Sequence, residues 1–212
     1  MTRLLLIRHG ESEANSKGFF AGQYDVRLMP RGIEQAKKTA EYIFGKYAPD
    51  KIYSSDLKRA YDTAVPLAKL MGADIITHTG LREIYAGRWQ KMSFTDLENE
   101  FHNEYGVWLS DVGNARCSGG ESVKELGRRI MATLTEIAEE NIDMTIAIAT
   151  HATPIRVAQT IIQYGDIHHM KVVPWTSNGS VTVLEYNGEW KCASVSEDAH
   201  LGEGKTSFPA NV

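Results

Sequence analysis

The sequence has no long apolar run. Leu4–Ile7 is broken at once by Arg8, far short of the roughly 20 residues a membrane span needs and too short for a signal-peptide core. Cysteine is scarce: Cys117 and Cys192 stand alone, without metal-ligand or redox spacing, and are expected to be free, buried or partly buried thiols. No long basic run is present and the net charge is −4, which argues against a nucleic-acid partner. No P-loop, dinucleotide fingerprint or zinc spacing occurs, and there are no repeats or low-complexity stretches. What remains is 212 residues of ordinary soluble composition, 42% hydrophobic and 24% charged. That length suits one domain able to bury its own core. The expectation is a cytoplasmic protein with no membrane or nucleic-acid partner. Any anionic substrate must be held by a local basic cluster.

Periodicity supplies the elements. Arg3–Ile7 reads as a short buried strand that ends at Arg8-His9-Gly10-Glu11. Ile33, Ala36, Ala40 and Ile43 recur at helical spacing between Gly32 and Phe44. Lys51–Ser54 reads as a strand, followed by Asp56 as a helix N-cap. The next helix has a stripe of Leu57, Ala60, Tyr61, Ala64, Ala68 and Met71 and stops near Gly72; Pro66 inside it should remove a hydrogen bond and kink it. Ala73–Thr77 reads as another strand. Residues 93–110 suggest short helices over one end of the sheet. A long helix after Gly119-Gly120 turns Val123, Leu126, Ile130, Leu134 and Ile137 to the core. Met144–Ala149 is a second fully apolar strand and ends at Thr150-His151. Thr153 then reads as an N-cap with Pro154 at the first helical position. Val181–Glu185 and Trp190–Val195 form a hairpin through Asn187-Gly188, and the glycine-rich tail after His200 is expected to be loosely held. Strands alternating with helices imply a largely parallel sheet covered on both faces, with ligands beyond the carboxyl ends of the strands.

Two apolar strands therefore end in histidine. Arg8-His9 alone would suit a surface arginine and a capping histidine as well as a site. Arg59, in the first turn of its helix and off the apolar stripe, Glu83 and His151 change that balance. If the strand ends converge, one pocket holds two guanidiniums, two imidazoles and a carboxylate. Guanidinium forks match phosphoryl oxygens, and nearby positive charge keeps an imidazole neutral and nucleophilic.

Leu6-Ile7-Arg8-His9-Gly10-Glu11-Ser12 resembles the Arg-His-Gly signature of the histidine phosphatase superfamily, which includes the cofactor-dependent phosphoglycerate mutases. Asn15, the Phe20-Ala21-Gly22-Gln23 loop and Leu28–Ala36 are similar to the next block of that family. Tyr53–Ala60 with Thr63-Ala64 resembles its arginine motif, and Leu81-Arg82-Glu83 its acidic motif. Gly119–Ser122 resembles the helix start of its phosphatase branch, and Ala149–Arg156 its second histidine motif. The blocks keep the family's order from residue 3 to about 201. The resemblance implies a phosphoglycerate-mutase-like α/β three-layer sandwich, mostly parallel, spanning residues 1–212 with a small helical cap at about 84–118. It implies a phosphomonoesterase of the histidine acid phosphatase type that uses neither metal nor cofactor. His9 would be the nucleophile, Glu83 the acid and base, and His151 a catalytic partner. Arg8, Asn15, Gly22, Gln23 and Arg59 would bind a small phosphomonoester. A monomer or homodimer is expected.

A 2,3-bisphosphoglycerate-dependent phosphoglycerate mutase is the alternative, and a non-catalytic phosphate-binding module a further one. Only 67 residues separate Glu83 from His151, short for the insertion the mutases carry. The segment is acidic, with Asp96, Glu98, Glu100, Glu104 and Asp111, and suits a neutral organic group better than a second anionic end. Hydrolysis is therefore the reading preferred. His168-His169 is read as a solvated polar loop, Asn178-Gly179 as a turn, Asp198–Leu201 as packing of the last segment, and Trp175, Trp190, Tyr164 and Phe94 as core or pocket wall.

Overall fold

The computed structural model describes residues 1–206; part of the glycine-rich tail, 207–212, lies outside the described residues. A six-stranded sheet runs through it in the order β3-β2-β4-β1-β5-β6. The strands are β1 (Thr2–Arg8), β2 (Lys51–Ser54), β3 (Ile75–Thr77), β4 (Thr145–Thr150), β5 (Val181–Tyr186) and β6 (Trp190–Glu197). The first four pair in parallel, and the β5–β6 hairpin is added antiparallel beside β1.

Strands β1 and β4 are apolar at successive positions because both sheet faces are covered. Leu4 and Leu6, with Ile146 and Ile148, pack under α6 (Val123–Glu140) and α7 (Ala152–Tyr164). Leu5 and Ile7, with Ala147 and Ala149, pack under α2 (Pro30–Tyr47) and α3 (Lys58–Met71). Leu4–Ile7 are at most 2% exposed. At about 1.5–3 kcal/mol for each such side chain, this one strand contributes on the scale of a domain's net stability, about 5–15 kcal/mol. Between β3 and α6 come α4 (Phe94–Glu100), α5 (His102–Ser110) and 3-10 turns at Gly87–Trp89 and Val112–Asn114. Trp89 is fully buried there, edge-on to Phe20, Tyr105 and Trp108. No described helix is long and apolar enough to cross a membrane. Both cysteines are free, and burial raises their thiol pKa values, that of Cys192 to about 11.

Several local expectations are corrected. The buried positions of α2 are Gly32, Gln35, Ala36, Thr39, Ala40 and Ile43. Ile33 falls about 100° off that face and is 46% exposed. Asp56 does not cap α3: Leu57 is the N-cap residue, and the Asp56 carboxylate receives the Arg82 guanidinium instead. Tyr61 is likewise largely outside, while Arg59 and Thr63 are buried in its place. The α3 helix runs through Pro66 to Met71. The following strand starts only at Ile75, because the Ala73 N–H closes the helix end onto Ala68. The cap of α7 is His151, so Thr153 and Pro154 sit second and third in the helix, still within the turn where a proline lacks nothing. Tyr164 is exposed and stacks on His169. The segment after His200 is pinned on α2 as far as Lys205, by Lys38 to the Leu201 carbonyl, Gln35 to that of Gly204 and Arg31 to that of Lys205.

Candidate active site

The parallel register places the two histidines. Arg8 pairs with Thr150 as the last rung of β1 and β4, and the His9 N–H continues to the Thr150 carbonyl at 3.0 Å. The next residue on each strand is then His9 and His151, on chains that lie about 4.8 Å apart in a sheet. Their ring centroids are 5.2 Å apart at 63°. Beyond β2, Ser55 meets the His151 ring through its hydroxyl, 2.9 Å from Nε2. At the second residue of α3, Arg59 reaches back with its Nε–H 3.3 Å from His9 Nε2. After β3, the Thr150 hydroxyl holds the Leu81 carbonyl at 2.7 Å, and Glu83 enters two residues later. Four strand ends thus meet at one point.

The loop carrying His9 has little freedom. A Cβ on Gly10 would collide with the backbone of Gly32 at the start of α2, and one on Gly32 with the backbone of Glu11. The two backbones touch, and only glycine allows that approach. The Gly10 N–H is taken by the Thr63 hydroxyl of α3. The His9 Nδ1–H donates to the Gly10 carbonyl at 2.7 Å, which fixes the tautomer and leaves the lone pair on Nε2. Burial pushes His9 well below the usual histidine range, and Arg59 and Arg8 push it further. His151 is lowered for the same reasons. Both rings are neutral at physiological pH.

The cations are buried as deeply. Arg8 is 2% and Arg59 1% exposed; burial lowers them to about 9 and about 10, with Glu83 opposing, so both stay charged. Arg8 donates to the Thr176 carbonyl, and Arg59 to the carbonyls of Gly22 at 2.7 Å and Tyr24 at 3.2 Å. Gly22 has φ +52, and a Cβ there would strike Ala86. Burial raises the Glu83 pKa, opposed by hydrogen bonds from the N–H groups of Ile84 and Thr153 and by Arg59. Thr153 lies in the first turn of α7, whose N-terminal end favours negative charge.

Arg8, His9, Asn15, Gly22, Arg59 and Glu83 line one cavity of about 90 Å³. Asn15 Oδ1 accepts from the backbone and hydroxyl of Ser12 and from Asn178, which turns its amide N–H groups away from Ser12. Two expected residues do not line this cavity. Gln23 uses its amide on the Glu83 carbonyl at 3.1 Å and toward Arg82, and His151 lies beside His9. Among the described residues no cluster has the makings of a metal site, and His168-His169 falls in a 3-10 turn.

Sequence reasoning missed two positioning residues. Arg129 of α6 donates to the carbonyls of Gly80, Arg82 and Glu83 while held by Glu121. Asn178 donates to the His9 carbonyl at 2.9 Å and to Asn15, and accepts from Thr206. Asn178-Gly179 carries a turn signal, and Gly179 indeed has φ +75; nothing in it announces a side chain 3% exposed beneath the loop that carries His9.

The chain is similar to several known proteins. The model of the histidine phosphatase superfamily (branch 1) matches residues 4–198. The metal-independent phosphoserine phosphatase of Arabidopsis thaliana is 30% identical over 204 residues, covering 95% of this chain and 84% of that protein. The glucosyl-3-phosphoglycerate phosphatase of Mycolicibacterium vanbaalenii is 36% identical over 141 residues, 66% of this chain and 62% of that one. Among solved structures, YhfR of Bacillus stearothermophilus superposes with a TM-score of 0.90 at 22% identity, over 95% of this chain and all of that one. At that identity the match speaks for the fold.

Proposed function

The chain belongs to the histidine phosphatase superfamily, and we propose that it hydrolyses small phosphomonoesters through a phosphohistidine on His9, without a metal ion. The observation that carries the reading is the His9 ring, neutral, with Nδ1–H tied to Gly10 and the Nε2 lone pair directed at Arg59. A substrate phosphoryl group takes the place of that lone pair's present donor. Nε2 attacks phosphorus, the P–O bond to the alcohol breaks, and Glu83 delivers its proton to the departing oxygen. The raised pKa of Glu83 keeps that proton available toward neutral pH. Water then attacks the phosphohistidine and Glu83 takes back a proton, releasing inorganic phosphate and restoring His9.

Charge on the transferring group is met by Arg8 and Arg59, with an Asn15 N–H and the α7 N-terminus adding dipoles. Ser55 Oγ accepts from the Leu57 N–H, so its own proton is free for His151 Nε2. The buried Nδ1–H, which has no acceptor among the described residues, is then the donor offered to the phosphoryl group. Gln23 acts through Glu83, by holding its backbone. Residues 84–118 serve as the cap over the leaving-group side. Hydrolysis is favoured over transfer back to a phosphoglycerate by the relatives' activities and by this acidic, aromatic cap. The reading retains a small-molecule substrate, a cytoplasmic setting and a monomer or homodimer.

The test is p-nitrophenyl phosphate turnover in excess chelator, with rapid quench to trap acid-labile, base-stable phosphate on the protein. His9→Ala is expected to abolish both; turnover surviving in His9→Ala overturns the proposal. Rapid isomerisation of 3-phosphoglycerate with 2,3-bisphosphoglycerate, without phosphate release, makes the protein a mutase instead.

A further inference from the structure

We propose that the alcohol half of the substrate is a neutral, apolar and preferably flat group, so that esters carrying a carboxylate or ammonium beside the phosphate are poor substrates. The inference rests on the phosphatase reading and names the class of ester that fits the same site.

The cavity is chemically two-sided. Its charged groups all stand at the phosphoryl end: Arg8, His9, Arg59 and Glu83. The guanidiniums there already serve protein carbonyls and His9. The remaining wall is mainly aromatic, Phe19, Phe20, Phe94, Trp108 and Trp175 with three alanines, and its polar members, Ser12, Asn15 and Thr153, are bonded to each other or to Glu83. Phe19, Phe94 and Trp175 are half-buried, while Phe20 and Trp108 stand edge-on behind, 5.1 Å apart between ring centroids.

The neighbouring cations are not lining residues and are spent on ring faces and carbonyls. Arg156 lies 4.3 Å from the Trp175 ring centroid and donates to the carbonyls of Val173 and Met170. Lys91 lies over Tyr24 at 4.6 Å and Arg88 over Phe101 at 4.9 Å. A substrate carboxylate entering this end would lose its water and meet no cation among the described lining residues beyond the two guanidiniums at the phosphoryl end, which is costly. Among the described lining residues the one acidic group an ammonium would meet is Glu83, which must hold its proton to act as the acid. An aromatic ring, in contrast, meets edges and faces of its own kind.

Benzyl phosphate, ethyl phosphate, O-phospho-L-serine and 3-phosphoglycerate all release alkyl alcohols, so a comparison among them tests binding rather than leaving-group chemistry. Benzyl phosphate should exceed ethyl phosphate in kcat/KM by at least about tenfold, since burying part of a phenyl face suffices for that. Phosphoserine and 3-phosphoglycerate should fall below ethyl phosphate. Phe94→Lys places a cation at the mouth, at the half-buried first residue of α4. It should lower the benzyl-to-phosphoserine ratio by at least about tenfold, with an unchanged thermal melt to show that it folds. Phosphoserine or 3-phosphoglycerate turned over as well as ethyl phosphate, or a ratio unmoved by Phe94→Lys, overturns the inference and leaves the phosphatase reading standing. Absence of phosphate release from all four esters defeats that reading too.

Discussion

Glu83→Gln separates the two proton transfers assigned to that carboxyl. The replacement keeps the shape, and its amide oxygen can still accept from the Ile84 N–H. The acceptor for Thr153 is lost, because an amide nitrogen cannot receive the N–H that Glu83 Oε2 receives at 3.3 Å. That loss costs about 1 kcal/mol, about a factor of five in rate. The loss of the acid is larger, about 10²–10⁴-fold. For ethyl phosphate, kcat/KM should therefore fall by about 10²–10⁴. For p-nitrophenyl phosphate, whose leaving group departs without a proton, it should fall less than about tenfold. The quantity to compare is kcat/KM, because it reports the first phosphoryl transfer. The second step needs Glu83 as a base whatever the ester, so the variant should release a burst of p-nitrophenol near one equivalent per site before a slow steady state. The pH profile carries the same information. Activity on alkyl esters should fall as pH rises through the raised Glu83 pKa, because the acid form is then lost. No ascending limb should belong to His9 near the usual histidine value, since burial holds its pKa well below that. Equal losses on both esters, or a descending limb that survives in Glu83→Gln, refute the assignment.

Perturbations at four further residues test other contacts of the structure. Arg59→Ala removes a donor from the phosphoryl group and should lower kcat by about 10²–10³; stopped-time phosphate release measures it, and Arg59→Lys should recover only part, lacking the fork. Asn178→Ala leaves the buried His9 carbonyl without its side-chain donor, an expected cost of about 1–3 kcal/mol seen as a lower melting temperature, with kcat reduced more than KM is raised. Thr206→Val removes only the Asn178 partner and should act in the same direction but less. Finally, burial pushes Glu197 up, but hydrogen bonds from Tyr42, Ser194, Tyr47 and Lys46 outweigh it and bring its pKa from 4.5 to about 2. A lowered carboxylate stabilises the fold above its unfolded value and loses that contribution as pH falls through the folded one. Glu197→Gln should thus melt below the parent at pH 7, and the gap should close between pH 4.5 and about 2.

The strand ends were legible because the central strands are legible. Two apolar runs each followed by histidine leave little choice in a parallel sheet, and the β1–β4 register delivers both rings to one point. What escaped reading is what depends on rotation or on long-range hydrogen bonds. Ile33 satisfies a helical period as well as Gln35 does, yet the face of α2 is decided by the Gly10–Gly32 backbone contact and by Gln35, whose amide joins the Glu11 N–H to the Gly204 carbonyl. Asp56 has the chemistry of a cap, and the competing Arg82 fork takes it. Arg129 and Asn178 act on residues 46 to 169 positions away, where no local pattern reaches. The groups proposed to perform the chemistry thus sit at ends of periodic elements and announce themselves, while those that aim them sit wherever the fold brings a donor within hydrogen-bond reach. A substitution in the second set is accordingly expected to pass unnoticed in the sequence and to appear first in the rate.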